Sequence, residues 1–523
     1  MQIDKLLSHH GLTMNPFVAE EARHDPVFEQ LLDESMPHHP DFAKILGQVH
    51  RPSAAVVFGE KGSGKTAIRL HIGKQVRQHN EQNPDSKALL VPYDDLNPVL
   101  DRVLKRKRTS RKGARADVEE LLKQFRLEEH QDVILSLAMT RLINGLLGEN
   151  GGGEDPTQLP ADAVQSIRKL PKRKRVDLLV MAMLYDAPRS GDVVQRFEKL
   201  RKTLRIYRFF PLNWRLNASL ILSVIGGGGV GLEWLCRHFD LFGGKLLPPV
   251  YLYGAGALAV LGLAGLITWL MQTIKSNRLA KKIHHETPAI ERTIGQFKEM
   301  LPQISPKDLA GQSWPAQGAE DAKNSRYELT SNLMEIIPTL GYTGMMVLVD
   351  RLDEPTVISS NAERMRSVLW PMLDNKFLQQ PNIGMKMLLP IELRHMLVRE
   401  SPAFFQEARL DKQNLIERLT WSGATLFDLC TSRLRACQKE GADEIYLTDL
   451  FEADVSREMV VDALDQMHQP RDAFKFLYSV IQEHCRMIPE DQGKPLIARI
   501  TLETVRRDQA RRVQELYRGL SPA

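Results

Sequence analysis

The sequence predicts an α/β protein with a parallel-sheet core, a large helical insertion that contains two transmembrane helices, and a C-terminal helical lid. Three observations support this prediction. A short apolar run leads into the glycine-rich stretch GEKGSGKT, and a second apolar run ends at Asp350, 285 positions after Lys65. Two long uncharged stretches lie between them. Continuous apolar runs are typical of buried parallel strands, and uncharged stretches of about 18 residues or more are typical of membrane helices.

The first glycine-rich stretch is predicted to bind phosphate. The apolar run SAAVVF (residues 53–58) precedes it, and a segment with apolar residues at helical spacing follows it. The pattern G-x-x-x-x-G-K-[ST] therefore stands between a strand and a helix, where backbone N–H groups can surround phosphate oxygens. Lys65 would reach the β- and γ-phosphates of ATP, and the Thr66 hydroxyl would ligate Mg²⁺. The candidate binding residues are Gly59, Gly62, Ser63, Gly64, Lys65 and Thr66.

The second apolar run predicts a metal-binding carboxylate. In MMVLVDRLDEP (residues 345–355) five apolar residues lead directly into Asp350, which would hold Mg²⁺ through water. Asp353 and Glu354 follow and could orient or deprotonate an attacking water. The alternative is a buried strand that ends in a solvated acidic turn.

With these two motifs the sequence resembles P-loop NTPases of the STAND class and of the KAP type, which belong to the division with an additional catalytic acid. Asp350 matches the metal-binding Asp of those families, and Asp353 and Glu354 match their distal acidic pair. The resemblance implies binding and hydrolysis of ATP with Mg²⁺. Arg351 stands where many related ATPases have the catalytic Glu, so the choice of base between Asp353 and Glu354 stays open.

Three further segments belong to the predicted core. KALLVPYDDL (residues 87–96) and IGMKMLLPIEL (residues 383–393) predict strands. At the end of the latter, Glu392 or Arg394 is either a γ-phosphate sensor or a surface charge. HQPRDAFKFLYSVI (residues 468–481) resembles the start of the lid helix of origin-recognition and STAND-like ATPases, which implies that Arg471 contacts the nucleotide. The alternative is an exposed Arg after a helix-initiating Pro.

Between the two motifs, helical spacing predicts helices over residues 117–147, 161–186 and 192–210, and GENGGGEDP (residues 148–156) predicts a loop. We divide the chain into seven segments: a lead-in (1–52), the first part of the core (53–100), a helical insertion (101–211), a transmembrane hairpin (212–275), the return of the insertion (276–340), the second part of the core (341–410) and the C-terminal lid (411–523).

The hairpin rests on two uncharged stretches. ASLILSVIGGGGVGLEWL (residues 218–235) is uncharged up to Glu233, and VYLYGAGALAVLGLAGLITWLM (residues 250–271) carries no charge. As helices they would be about 27 and 33 Å long, enough to cross a bilayer. Basic residues cluster outside both spans, so both ends are predicted in the cytoplasm, with lipid of the inner membrane as a partner. The alternative is a buried hairpin of a soluble protein.

A second glycine-rich stretch, GGGGVG (residues 226–231), matches the dinucleotide-binding spacing G-x-G-x-x-G. It lies inside the first apolar span and lacks a ribose-binding acid at the expected distance, so we interpret it as part of a membrane helix. Gly227 and Gly231 have the GxxxG spacing of close helix packing. Membrane helices inserted between the two motifs strengthen the resemblance to KAP-type NTPases.

Composition excludes few classes of protein. Net charge is +5, and four cysteines are too few and too scattered for a disulfide framework. One basic run begins at Lys105 and ends at Arg115, and a second begins at Lys172 and ends at Arg175. They fit solvation or contact with anionic lipid, and nucleic acid stays open as a partner.

The resemblance implies a membrane-anchored ATPase that acts as a switch in signalling or anti-phage defence. One alternative is a DNA-acting ATPase of origin-recognition type with a buried apolar hairpin. Another is an inactive scaffold that binds ATP without turnover. Assembly into a homo-oligomer stays open.

Overall fold

The computed structural model describes residues 2–19, 21–33, 37–108, 117–149, 159–189, 191–207, 212–239, 248–316, 319–489 and 494–517. The chain forms two compact units. The sheet unit consists of Met1–Asn97, Val118–Gln124 and Tyr342–Ala523, and the helical unit of Pro98–Asp117 and Phe125–Gly341.

A five-stranded parallel sheet is the centre of the sheet unit. Its strands are β1 (Ala55–Gly59), β2 (Lys87–Tyr93), β3 (Tyr342–Val349), β4 (Ile383–Pro390) and β5 (Asn414–Ile416), in the order β2-β3-β4-β1-β5. Every residue of β1 and β4 is buried, as expected for strands covered on both faces. In register, Tyr93 pairs with Val349 and Gly59 with Pro390. The residues that follow β1, β2, β3 and β4 therefore emerge at the same edge of the sheet.

The helices are α1 (Ile3–His9), α2 (Pro26–Asp33), α3 (Phe42–Leu46), α4 (Lys65–Gln82), α5 (Asn97–Arg108), α6 (Val118–Leu122), α7 (Leu127–Leu147), α8 (Ala163–Lys169), α9 (Lys172–Tyr185), α10 (Val193–Thr203), α11 (Leu212–His238), α12 (Pro249–Glu286), α13 (Ile294–Met300), α14 (Pro306–Ala310), α15 (Ala319–Ile336), α16 (Ala362–Leu369), α17 (Asn375–Leu378), α18 (Ile391–Leu397), α19 (Pro402–Ala408), α20 (Gly423–Ala436), α21 (Arg457–Asp465), α22 (Pro470–Met487) and α23 (Arg499–Tyr517). Short 3₁₀ turns span Ala22–His24, Leu301–Gln303, Ile337–Leu340, Trp370–Met372, Leu410–Lys412 and Leu447–Leu450.

The prediction of an α/β protein with a parallel sheet is confirmed. β5 is not among the predicted strands; it has only three residues and lies inside the segment assigned to the helical lid. All three helix predictions in the insertion were too long: α6 and α7 are separate, so are α8 and α9, and α10 ends at Thr203. The second break falls at Pro171, because the residue before a proline disfavours helical backbone. Residues 150–156 of the predicted loop and 208–210 of the predicted third helix lie outside the described residues.

In the helical unit, α11 and α12 are long and apolar enough to cross a membrane. Large apolar side chains on both are exposed, among them Val224 and Ile225 on α11 and Val260 and Leu261 on α12. The rival prediction of a hairpin buried within its own chain therefore finds no support in the described residues.

The two long helices pack closely at small residues. A Cβ atom on Gly226 would lie 2.3 Å from the backbone nitrogen of Ala259, and one on Gly262 would lie 2.4 Å from Oγ of Ser223. At Gly227 and Gly231 the space around a Cβ is open. The GxxxG pair of Gly227 and Gly231 therefore does not form the contact between α11 and α12. The neighbouring Gly226 forms it.

Lys386 is a buried charge in the middle of the sheet. It lies on β4, has no exposed surface, and donates from Nζ to the Ser53 carbonyl over 2.8 Å. Burial lowers the pKa of Lys386 to about 7. Below that pH the folded protein holds a charged ammonium in its core, at a cost on the order of several kcal/mol.

Replacing Lys386 by Met is expected to stabilise the fold at pH 7 more than at pH 10. The pKa of Lys386 is lower in the folded protein than in the unfolded chain, so the unfolded chain binds more protons between about pH 7 and the ordinary lysine pKa. The free-energy cost of burying Lys386 therefore decreases as pH rises through this range. Melting temperatures of both proteins in detergent, measured across this range, test the expectation.

Loss of the hydrogen bond to Ser53 lowers the stability of Lys386→Met equally at every pH. The informative quantity is therefore how the difference in melting temperature between Lys386→Met and the wild type changes with pH. Lys412→Met, at an exposed lysine of the same unit, is the control. A difference between Lys386→Met and the wild type that is independent of pH would contradict the account.

Candidate functional site

The loop between β1 and α4 has a backbone that only glycine adopts readily. Gly62 and Gly64 have φ of +95° and +91°, in the left-handed region. A Cβ on Gly59 would lie 2.5 Å from Oγ of Ser63, which itself donates to the Glu60 carbonyl over 2.8 Å. Gly64 is the N-cap of α4, whose first N–H groups have no acceptor within the helix. The loop and helix end together can receive an anion.

Lys65 lies across this loop. Its Nζ donates to the carbonyls of Gly59 and Glu60, both over 2.8 Å. Burial lowers the pKa of Lys65, while the carboxylates of Asp353, Asp350 and Glu392 oppose that shift. The lysine therefore places a cation within the field of several carboxylates at the edge of the sheet.

Thr66 and Asp350 meet although they are 284 positions apart in sequence. The Thr66 hydroxyl donates to Oδ2 of Asp350 over 3.2 Å. Asp350 directly follows β3 and is only 1% exposed. Burial raises the pKa of Asp350, and the charges of Arg69 and Lys65 oppose the shift.

The acidic turn after β3 separates its two candidate bases. Arg351 has a φ of 60°, unusual for a residue with a side chain, and its guanidinium forms an ion pair with Glu354. Glu354 is exposed, whereas Asp353 is partly buried. Among the neighbouring charges, Asp353 has the largest effect on Lys65. Asp353 thus belongs to the group around the loop, and Glu354 is held by Arg351.

The exit of β4 lies between the glycine loop and Asp350, because β4 is the strand between β1 and β3. Glu392 is exposed there, and its charge also acts on Lys65. Arg394 donates to Glu417 over 2.6 Å, so its charge is engaged away from the loop. Of the two residues considered at this exit, Glu392 is the one that the structure brings toward Lys65.

The first turn of α22 contacts the glycine loop. The backbone N–H of Arg471 donates to the Gly62 carbonyl over 3.4 Å, and a Cβ on Gly62 would lie 2.8 Å from Cβ of Arg471. Gln469 donates to Glu60, which also accepts from Arg418. The structure therefore brings Arg471 to the loop.

Three residues at this site were missed by the sequence analysis. Trp421 donates from Nε1 to the Ser63 carbonyl over 2.9 Å and packs beside Gly64. It follows β5, which no apolar run indicates. Arg69 lies one helical turn after Lys65, and Asp94 follows β2, so the i, i+4 spacing and the strand end were the available signals.

Thr66 and Asp350 supply hard oxygen donors of the type that Mg²⁺ prefers. Among the described residues no group of three or more His, Cys, Asp or Glu could hold a metal alone. A metal at this position would therefore take further ligands from water and phosphate, as Mg²⁺ usually does. The buried carboxylate, the adjacent hydroxyl and the glycine cradle fit a Mg²⁺–nucleotide complex.

Several described residues of the two basic runs make contacts within the helical unit. Lys172 pairs with Asp308 at 2.7 Å, Lys174 pairs with Glu335, and Arg175 donates to the Leu204 carbonyl over 2.7 Å. In the first run, Arg106 donates to carbonyls near the end of α12. Residues 109–115 of that run lie outside the described residues.

No protein-family model and no curated protein matches this chain.

Proposed function

We propose that this chain is a membrane-anchored P-loop ATPase that binds Mg-ATP and hydrolyses it. The contact between the Thr66 hydroxyl and the buried Asp350 carboxylate is the observation that carries the proposal. It joins the end of the glycine loop to the acidic end of a second strand, beside Lys65. A loop for phosphate and a carboxylate for a metal are the two parts that such an enzyme needs.

Binding depends on the loop and on Lys65. The N–H groups of the loop and of the first turn of α4 would hold the phosphates. Lys65, now bonded to the Gly59 and Glu60 carbonyls, would exchange those acceptors for β- and γ-phosphate oxygens. Thr66 and Asp350 would hold Mg²⁺, which supplies positive charge to the phosphate oxygens when bound.

For hydrolysis we assign the base to Asp353. Its carboxylate would orient a water and accept a proton from it while the water oxygen bonds to the γ-phosphorus. The bond from that phosphorus to the bridging oxygen breaks, and ADP and phosphate leave. Glu354 suits this role less well because its carboxylate is paired with Arg351. Arg471, held at the loop by α22, would sense the nucleotide.

The hairpin of α11 and α12 would anchor the protein in the cytoplasmic membrane, with the sheet unit in the cytoplasm. Exposed apolar side chains on both helices and basic residues outside both spans support this part of the proposal. Resemblance to STAND and KAP-type NTPases extends it to a switch in signalling or anti-phage defence. The DNA-acting alternative is weaker, because most of the second basic run is engaged in contacts within the helical unit.

Lys65→Ala is expected to weaken ATP binding on the order of 10- to 100-fold, because the phosphates lose a charge-assisted hydrogen bond. Lys61→Ala, at an exposed lysine of the same loop, is the matched control and should bind normally. Equilibrium binding of a fluorescent ATP analogue measures both variants. Equal ATP affinities of the two variants would contradict the assignment of this loop as the phosphate-binding site.

Asp353→Asn is expected to bind ATP and to lower turnover about 100-fold or more, the usual effect of losing a general base. Glu354→Gln should keep most of its turnover. Phosphate release under saturating ATP compares them. If Glu354→Gln is the inactive one, the two roles are reversed; if both variants turn over normally, neither acid is the base.

The full-length protein is expected to stay in the membrane fraction after carbonate extraction and to need detergent for release. A variant with residues 212–275 replaced by a short Gly/Ser linker should be soluble and still bind ATP. Release of the wild-type protein by salt or carbonate alone would contradict the anchor. Salt-sensitive DNA binding by such a soluble form would favour the alternative function.

A further inference from the structure

Arg69 lies between two carboxylates at the edge of the sheet. It is 5% exposed, and its Nη1 donates to Oδ2 of Asp94 over 2.5 Å. Its Nε is 3.4 Å from Oδ2 of Asp350. Asp94 follows β2 and Asp350 follows β3, and these strands are neighbours in the sheet. Without a cation between them, the two acids would face each other in a poorly solvated place.

Arg69 and Thr66 approach the same oxygen of Asp350. The Thr66 hydroxyl donates to Oδ2, and Nε of Arg69 lies 3.4 Å from the same atom as an ion pair without a hydrogen bond. Both side chains belong to α4, so one helix holds the carboxylate at two points. A Thr66 hydroxyl that donates its hydrogen bond to Asp350 keeps its oxygen lone pairs for a metal.

Asp94 determines how strongly Arg69 acts on Asp350. The contact with Asp94 is a short ion pair, and the contact with Asp350 is longer than a hydrogen bond of good geometry. Nε and Nη2 of Arg69 are buried and have no hydrogen-bond partner among the described residues. The guanidinium therefore makes its closest contact with Asp94. It lies near Asp350 but does not form a bidentate ion pair with it.

We propose that Arg69 is a positioning residue for the metal: held by Asp94, it fixes the Asp350 carboxylate so that Asp350 and Thr66 together face Mg²⁺. The inference rests on the proposed function and adds Arg69 and Asp94 to the site. Residues behind a metal ligand typically change metal affinity by roughly 10- to 100-fold when they are removed. Arg69 acts through Asp350 and does not touch the nucleotide.

The test is the ratio of nucleotide affinities with Mg²⁺ and with EDTA, measured on the full-length protein with a fluorescent ATP analogue. In Arg69→Met this ratio should fall by roughly tenfold, while affinity in EDTA stays as in the wild type. Arg69→Lys keeps the charge but lacks the fork that reaches two carboxylates, so it should restore part of the ratio. Electron paramagnetic resonance of Mn²⁺ in the ADP complex should show weaker metal binding in Arg69→Met.

Arg23→Met is the matched control, because Arg23 pairs with the same Asp94 at 3.3 Å. It should leave the ratio unchanged. Asp94→Asn is a second test if Arg69→Met does not fold: an Arg69 released from Asp94 would close on Asp350, and the ratio should fall. An unchanged or raised ratio in Arg69→Met overturns the proposal, and so does an unchanged ratio in Asp94→Asn. A wild-type protein without nucleotide binding would instead overturn the proposed function itself.

Discussion

The hydrogen bond between Thr66 and Asp350 is the contact on which the rest of the site depends. It exists because β1 and β3 are parallel members of one sheet, so the residues that follow them emerge at the same edge. The chain leaves this sheet after β2 and builds a separate helical unit before it returns at β3. The long interruption does not disturb the contact, because parallel strands need only a connection long enough to cross over.

Strand order also explains why several charges converge on Lys65. Asp350 and Asp353 follow β3, and Glu392 follows β4 beside it. Burial alone would disfavour a charged lysine, and these carboxylates offset part of that cost. Lys386 is a contrasting case in the same sheet, since no carboxylate opposes the fall of its pKa to about 7. Lys65 lies at the carboxyl edge of the sheet beside these carboxylates, and Lys386 is buried within the sheet.

Long apolar runs and glycine spacing made much of this fold predictable from the sequence. β1 and the second half of β3 are continuous apolar runs, and β4 is an apolar run interrupted by Lys386. The loop before α4 has the glycine-rich spacing of a phosphate-binding loop. β5 could not be found in this way, because three residues carry no periodicity. Trp421 follows β5, so its position at the site was not predicted either. The positions of Arg69 and Asp94 could be read from helical spacing and from a strand end, but a single sequence does not show that the two side chains are in contact.

Glycine serves two different physical needs in this chain. At Gly62 and Gly64 it permits a left-handed backbone, the conformation found in anion-binding loops. At Gly226 it removes a side chain so that α11 and α12 can approach, and the backbone there is helical. Helix packing accounts for Gly226 but not for the full dinucleotide-like spacing, because Gly228 and Gly231 meet no neighbour within 4 Å. The glycine spacing alone does not distinguish these two roles, whereas the apolar residues around the glycines do.

The number of nucleotides bound per chain tests the central claim most directly. Calorimetric titration of the detergent-solubilised wild-type protein with a non-hydrolysable ATP analogue gives that number with and without Mg²⁺. A single site at the loop of Gly62 and Gly64 predicts one nucleotide per chain, bound more tightly with Mg²⁺. Binding of two nucleotides per chain, or of none, would contradict it.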